Sequence, residues 1–128
     1  MINDFVKLWI EKADKDIKTA EHELNLPQEE TITETVCFHS QQAVEKYLKA
    51  FLILKNEEFG RTHNLELLIQ LCGKHDNDFL QCNLGNLTEY AVAIRYPGDF
   101  CIPDHEEAKK ACEIATGIRS FVMEKLGN

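Results

Sequence analysis

Apolar residues recur at three- and four-residue steps along most of this chain, and no run alternates in the manner of a β-strand. A helix has about 3.6 residues per turn, so this spacing places the apolar positions on one face. The pattern predicts helical segments at 3–24, about 31–55, 65–75, 78–94 and 106–126. Because only short connections separate them, we expect an all-α fold: an up-and-down antiparallel four-helix bundle with a short additional helix.

Polar residues near the predicted helix starts can accept hydrogen bonds from free backbone N–H groups. The segments 31–34 and 104–107 have the spacing of capping boxes, each ending on glutamate. Thr62 or Asn64 can cap the short third helix. Gly85 falls within the predicted fourth helix, where we expect it to bend the helix or to admit a close neighbour.

Length and composition indicate one globular domain covering residues 1–128. Apolar residues make up 44% of the chain, which argues against disorder. No apolar run approaches the roughly 18 residues of a membrane span, and the first residues do not resemble a signal peptide. We therefore expect a cytoplasmic protein without membrane contact.

The net charge of the chain makes some classes of ligand less suitable than others. The chain has 14 Lys and Arg against 22 Asp and Glu, a net charge of −8. An acidic protein is poorly suited to nonspecific binding of nucleic acid, so RNA is not favoured as a partner. A local basic site can still form from Lys46, Lys49, Arg61, His63 and Arg95.

The cysteines and histidines do not indicate a metal site. Five cysteines are scattered along the sequence, and none forms a Cys-x-x-Cys pair. This is typical of reduced thiols in a helical core. Ligand spacing for zinc is absent, so we predict no metal and no cofactor.

The second predicted helix carries the most informative pattern. Its apolar stripe consists of Cys37, Val44, Leu48 and Phe51. A second, polar stripe follows the same spacing and consists of His39, Gln42, Lys46 and Lys49, with Gln41 and Glu45 beside it. Such a face offers cations, donors and acceptors from one rigid element, which suits a phosphate, a base edge or an acidic protein surface.

Three motifs carry a family resemblance. Residues 38–50 resemble the second-helix motif of HEPN domains, the higher eukaryote and prokaryote nucleotide-binding family. The Thr-His-Asn-Leu sequence at 62–65 and the Arg-Tyr-Pro sequence at 95–97 are similar to two further elements of that family, in the same order. Trp9, Ala13 and Ala20 fit its first helix, so the resemblance spans nearly the whole chain.

The resemblance implies a fold, a function and partners. The fold is the same helical bundle that the periodicity predicts. Small stand-alone prokaryotic members often work with a minimal nucleotidyltransferase, in pairs of the toxin–antitoxin kind, and form homodimers. The implied function is a helical module that binds a nucleotide, or a substrate of the nucleotidyltransferase.

The resemblance also implies site residues. They are His39, Gln42, Lys46, His63, Arg95 and Tyr96. His63 and Arg95 would contact phosphate. His39, Gln42 and Tyr96 would shape a pocket for the base or substrate.

Each of these residues also has a structural interpretation. His39 could be half-buried and tied to a neighbouring carbonyl or carboxylate. Glu45 is expected to form a structural bridge to Arg61 or Arg95, or to pair only with Lys49 four residues later.

Ribonuclease activity is not expected from the sequence. Many HEPN proteins are metal-independent ribonucleases in which His follows Arg after four to six residues. Here Arg61 is followed by His63, which is too close, and Arg95 by His105, which is too far. Arg119 has no later histidine. The chain therefore lacks the motif, and we predict no catalytic residue.

Three hypotheses remain after the motif search. The first is a noncatalytic module that binds nucleotide or substrate beside a nucleotidyltransferase. The second is a ribonuclease with a nonstandard site, such as Arg95 with His39 or His63. The third is a structural interaction partner that uses its polar face as an interface.

Overall fold

The computed structural model describes residues 3–90 and 102–127. It contains four α-helices: α1 (Asp4–Leu24), α2 (Thr33–Leu54), α3 (Leu65–Gly73) and α4 (His105–Gly127). Three short 3₁₀ helices span Gln28–Glu30, Asn77–Gln81 and Leu87–Tyr90. The described ranges contain no strand, so the predicted all-α bundle is confirmed. None of their helices has both the length and the apolar character needed to cross a membrane.

The chain runs up and down along the bundle. α1 is antiparallel to α2, because Trp9 lies near Lys49 whereas Asp16, further along α1, contacts His39. α2 and α4 are parallel. Near the starts of both helices, the Thr33 hydroxyl donates a 2.6 Å hydrogen bond to the Pro103 carbonyl.

The segment 77–90 returns in the opposite direction between these helices. At its start, the Phe79 ring packs on Phe51 and Phe121, with centroids 4.4 and 4.9 Å away. At its end, the Tyr90 hydroxyl donates to Glu107 near the start of α4. This segment occupies the place that a fourth main helix would have in the predicted bundle.

The prediction of a continuous helix over 78–94 is wrong in the part that the structure describes, 78–90. Two 3₁₀ helices flank Gly85, whose φ of 57° lies in the left-handed region. Asp76 and Asn83 each accept a hydrogen bond from the N–H two residues later, at 2.9 and 3.0 Å. Such local turns compete with helix formation. Residues 91–94 lie outside the described ranges.

Gly85 also admits a close neighbour, as expected. A Cβ built on it would lie 3.2 Å from Ile114 Cδ1, which is tighter than an ordinary contact. The segment can therefore approach α4 closely at this point.

The apolar stripe predicted on α2 forms the centre of the core. Cys37, Val44 and Leu48 are completely buried, and Phe51 nearly so. Burying a large apolar side chain stabilises a fold by roughly 1.5–3 kcal/mol. These residues therefore hold α2 at the middle of the bundle, with polar neighbours of the stripe at its edges.

Two predicted helix caps are present. Asn64 Oδ1 accepts a 3.2 Å hydrogen bond from the Leu67 N–H and caps α3. Asp104 Oδ1 accepts a 2.7 Å bond from the Glu107 N–H at the start of α4. The Glu107 carboxylate bonds Tyr90, so the second half of this predicted capping box is used elsewhere.

The capping box predicted at 31–34 is wrong. α2 begins at Thr33, and the Thr31 hydroxyl donates to the backbone carbonyl of Glu23 at 3.3 Å. The Glu23 carboxylate instead accepts the Ile32 N–H at 2.8 Å. A residue near the end of α1 thus satisfies a donor at the start of α2.

Candidate functional site

A buried carboxylate organises one edge of the polar face of α2. Glu45 accepts hydrogen bonds from Lys49 Nζ at 2.9 Å, His63 Nδ1 at 2.8 Å and Gln41 Nε2 at 3.2 Å. We call these four residues the Glu45 cluster. The carboxylate is only 5% exposed, so its charge is balanced almost entirely by protein groups.

The position of Lys49 on the polar stripe predicted that it faces solvent, but the structure buries it. Its side chain is 7% exposed. The ammonium lies 5.8 Å from the Trp9 ring centroid and 5.4 Å from that of Phe59, within range of cation–π attraction. Rings from α1 and from the α2–α3 connection therefore cover it, and the expectation that Lys49 contributes to a basic surface is corrected.

Glu45 is ionised in this setting. Burial alone would raise its pKa, but hydrogen bonds from Lys49 and His63, the charge of Lys49 and a bond from Gln41 together hold the pKa of this carboxyl below its usual value. The centre of the Glu45 cluster is thus an ion pair between Glu45 and Lys49, and the His63 imidazole bonds the same carboxylate.

The interhelix bridge expected for Glu45 uses partners that differ from the predicted arginines. It joins α2 to His63 in the connection before α3, and it also makes the i,i+4 pair with Lys49. Arg61 is exposed and forms no ion pair with any described residue. Arg95 lies outside the described residues. His63 keeps an exposed imidazole, at 64% of its side chain, despite its bond to Glu45.

A second carboxylate organises the other edge of the face. Asp16 of α1 accepts a 2.8 Å hydrogen bond from His39 Nδ1 on one oxygen and a 2.6 Å bond from Lys46 Nζ on the other. We call these three residues the Asp16 cluster. Asp16 is 10% exposed, whereas His39 and Lys46 are 29% and 23% exposed. His39 is therefore half-buried and tied to a carboxylate, and it still reaches the surface.

Gln42 lies between the two clusters on the polar face of α2. Its Nε2 donates a 2.7 Å hydrogen bond to Gln41 Oε1, and its side chain is half-buried. With about 100° of rotation per residue, His39, Gln42 and Lys46 form one stripe along α2. A continuous polar strip therefore runs from the Glu45 cluster to the Asp16 cluster.

The sequence model of the HEPN domain matches residues 6–126. The chain belongs to the HEPN family.

One solved structure is similar to this HEPN chain over nearly its whole length. It is the crystal structure of an archaeal HEPN homologue, with a TM-score of 0.69 and 25% sequence identity. The alignment covers 94% of this chain and 96% of the archaeal one. No curated protein matches the sequence.

The HEPN chain has a third polar cluster on the opposite flank of α1. Asp14 accepts a hydrogen bond from the Tyr47 hydroxyl and a 2.9 Å bond from Arg119 Nε of α4. Burial and the adjacent carboxylate raise the pKa of Tyr47, so its phenol stays protonated. α1 is therefore held on both sides, by Asp14 and by Asp16.

Sequence reasoning missed the two aspartates of α1. A signal was present in the first predicted helix, where Trp9, Ala13 and Ile17 follow each other at four-residue steps and form an apolar face, because Asp16 lies next to Ile17 and three residues after Ala13. A carboxylate on such a stripe requires a partner across the helix interface.

The remaining predicted site residues, Arg95 and Tyr96, lie outside the described residues of the HEPN chain. Elsewhere, a cleft between 85–90 and α4 is lined in part by Tyr90, Glu107 and Lys110. It contains none of the predicted site residues. In residues 3–90 and 102–127, no three His, Cys, Asp or Glu side chains gather to hold a metal ion.

Proposed function

We propose that this HEPN chain is a noncatalytic module that binds a nucleotide, or a nucleotide-containing substrate, beside a minimal nucleotidyltransferase. In this proposal it acts in the cytoplasm as a homodimer and as one half of a toxin–antitoxin-like pair. The observation that supports nucleotide binding is the Asp16 cluster, in which one buried carboxylate holds an imidazole and an ammonium on a half-exposed edge of α2.

The chemistry of the strip suits a single nucleotide. Among the described residues, Lys46 donates one hydrogen bond, to Asp16, and an ammonium has three donors. Two donors are therefore free for a phosphate. Gln42, one turn away, offers an amide for a base or sugar, and the exposed imidazole of His63 lies along the same strip.

The charges of the strip indicate the strength of binding. Lys46 is compensated by Asp16 and Lys49 by Glu45, so neither lysine adds a net positive charge to the strip. The chain as a whole has a charge of −8. Phosphate attraction is therefore local, and we expect weak, salt-sensitive binding of a nucleotide rather than binding of a long RNA.

A noncatalytic role is favoured by the placement of the arginines. Arg119 bonds Asp14 on the flank of α1 opposite to His39. Arg61 precedes His63 by two residues, too few for the ribonuclease motif of the family. Neither arginine supports the pairing that the family's ribonucleases use.

Calorimetric titration with ATP and GTP tests the proposal. We expect the unmodified chain to bind, and Lys46→Ala to weaken binding by at least about tenfold, because a charge-assisted hydrogen bond to phosphate is lost. Lys46→Arg keeps the charge and should restore most of the affinity. Lys18→Ala, an exposed lysine on α1, is the matched control and should bind as the unmodified chain does.

Two results would contradict nucleotide binding at this strip. One is the absence of heat with the unmodified chain at millimolar nucleotide, which would favour a protein interface on the polar face. The other is equal affinity in the unmodified chain and in Lys46→Ala, with both folded by circular dichroism.

A further inference from the structure

Asp16 differs from the residues around it in being a carboxylate on the buried stripe of α1. It is 10% exposed, and each of its oxygens accepts one hydrogen bond from α2. Its partners, His39 and Lys46, both reach the surface. Asp16 therefore connects the interior of the bundle to two groups that a ligand can contact.

The hydrogen bond from His39 determines which ring nitrogen faces a ligand. A carboxylate only accepts, so Nδ1 carries the proton that it donates to Asp16. In the neutral imidazole, Nε2 then has a free lone pair and acts as an acceptor. No described residue hydrogen-bonds Nε2, and it is not among the buried atoms left without a partner. The acceptor is thus available at the surface.

We infer that Asp16 is a positioning residue of the nucleotide site, and that His39 Nε2 accepts a hydrogen bond from a ribose hydroxyl of the ligand whose phosphate contacts Lys46. This inference rests on the proposed function. It adds a preference for ribose over deoxyribose, which the binding proposal by itself does not contain.

The ribose assignment follows from adjacency. His39 Nδ1 and Lys46 Nζ bond the two oxygens of one carboxylate, so the imidazole and the ammonium are neighbours. In a 5′-nucleotide, the sugar hydroxyls are the donors nearest to the phosphate in the covalent structure. The amino groups of the base are also donors, but the sugar separates them from the phosphate. An acceptor beside a phosphate-binding ammonium therefore fits the sugar.

Titration of ATP, 2′-deoxy-ATP and 3′-deoxy-ATP tests the preference. We expect the unmodified chain to bind at least one deoxy analogue about tenfold more weakly than ATP, since a hydrogen bond to Nε2 is lost. In Asp16→Asn, the amide can donate to Nδ1 as well as accept from it, so the ratio of affinities should fall towards one. The ratio is the diagnostic quantity, because removing the charge beside Lys46 changes the affinity for all three ligands.

Asp14→Asn is the matched control for structural effects. Asp14 lies on the same helix and also joins α1 to its neighbours, through Tyr47 and Arg119, but it does not touch His39. We expect this variant to keep the preference for ribose even if its melting temperature falls. Loss of the preference in Asp14→Asn, or its retention in Asp16→Asn, would overturn the role of Asp16.

The outcomes separate this inference from the proposed function. Equal binding of ATP and both deoxy analogues by the unmodified chain would overturn the inference and leave nucleotide binding intact. The absence of all binding would overturn both.

A spectroscopic measurement tests the role of Asp16 without a ligand. In ¹⁵N NMR spectra of the unmodified chain at about pH 8, His39 should be in the Nδ1–H form, and Asp16→Asn should show a mixture of tautomers. A predominant Nε2–H form in the unmodified chain would overturn the inference, whatever the stability of the variant.

Discussion

The Glu45 and Asp16 clusters each contain a carboxylate, a lysine and a histidine, and the Glu45 cluster adds the Gln41 amide, but the fold covers them differently. In the Glu45 cluster the lysine is 7% exposed and lies against two aromatic rings. In the Asp16 cluster both basic residues are partly open to solvent. The two carboxylates themselves are buried to a similar degree.

The difference shows that two clusters of similar composition can expose their cations to very different extents. Lys49 lies beneath Trp9 and Phe59, where solvent scarcely reaches it. Removing its partner Glu45 would leave an uncompensated charge in the interior. A lysine at the edge of α2, 23% exposed, is the one that the proposed function assigns to a phosphate. The accessibility of the cation, more than its pairing with a carboxylate, distinguishes the two clusters.

The largest expected effect compares the two lysines directly. Lys49→Met leaves the buried Glu45 carboxylate without its cation, and we expect the free energy of unfolding to fall by about 3 kcal/mol or more. Lys46→Met leaves Asp16 with the hydrogen bond from His39 and with water access at an edge where the lysine is 23% exposed, so we expect a smaller loss of about 1–2 kcal/mol. Urea denaturation at pH 7 measures both. Equal losses would contradict the distinction between the clusters.

A smaller expected effect is a loss of stability at acidic pH that depends on Glu45. Because the pKa of folded Glu45 lies below its ordinary value of 4.5, the unfolded chain takes up this proton first as the pH falls. The stabilisation from Glu45 is thus present above pH 4.5 and is lost as the pH falls through the folded pKa. Glu45→Gln lacks this dependence.

The stability difference between the unmodified chain and Glu45→Gln should therefore narrow below pH 4.5. Urea midpoints from pH 7 to about pH 3 measure it, and the other carboxylates affect both proteins alike. A stability difference that stays constant over this range would show that the pKa of Glu45 is the same in the folded and unfolded states.

The smallest effect tests the cover over Lys49. Phe59→Leu removes the ring 5.4 Å from the ammonium and its edge-to-face contact with Trp9, whose centroid is 6.5 Å away. We expect a loss of about 1 kcal/mol in thermal unfolding. Phe5→Leu changes the same side chain at a position that is 56% exposed, and should cost less than about 0.5 kcal/mol. Similar losses of stability in both variants would indicate that the Phe59 ring does not specifically stabilise the buried Lys49 ammonium.

Much of the fold could be predicted because local periodicity and local packing agree. The apolar stripe of α2 and the caps at Asn64 and Asp104 were read directly from spacing. The segment 77–90 could not be read in this way. Its apolar residues have helical spacing, but Asn83 and Gly85 favour turns that interrupt the backbone ladder.

The candidate site was only partly predictable for a different reason. Spacing along α2 identified His39, Gln42 and Lys46 as one stripe, and the structure keeps them together on α2. It could not show that Lys49 is buried, because its cover comes from Trp9 and Phe59, which are distant in sequence.

The two aspartates of α1 have a consequence for how the length of this helix can change in this chain. Asp14 and Asp16 reach opposite sides of α1, towards Arg119 and Lys46. Inserting or deleting a single residue between Trp9 and Asp14 would rotate the following helix by about 100° relative to the preceding turn. Both contacts could not then form together with the Trp9 contact to Lys49. The three contacts together therefore fix the length of this helical interval in this chain.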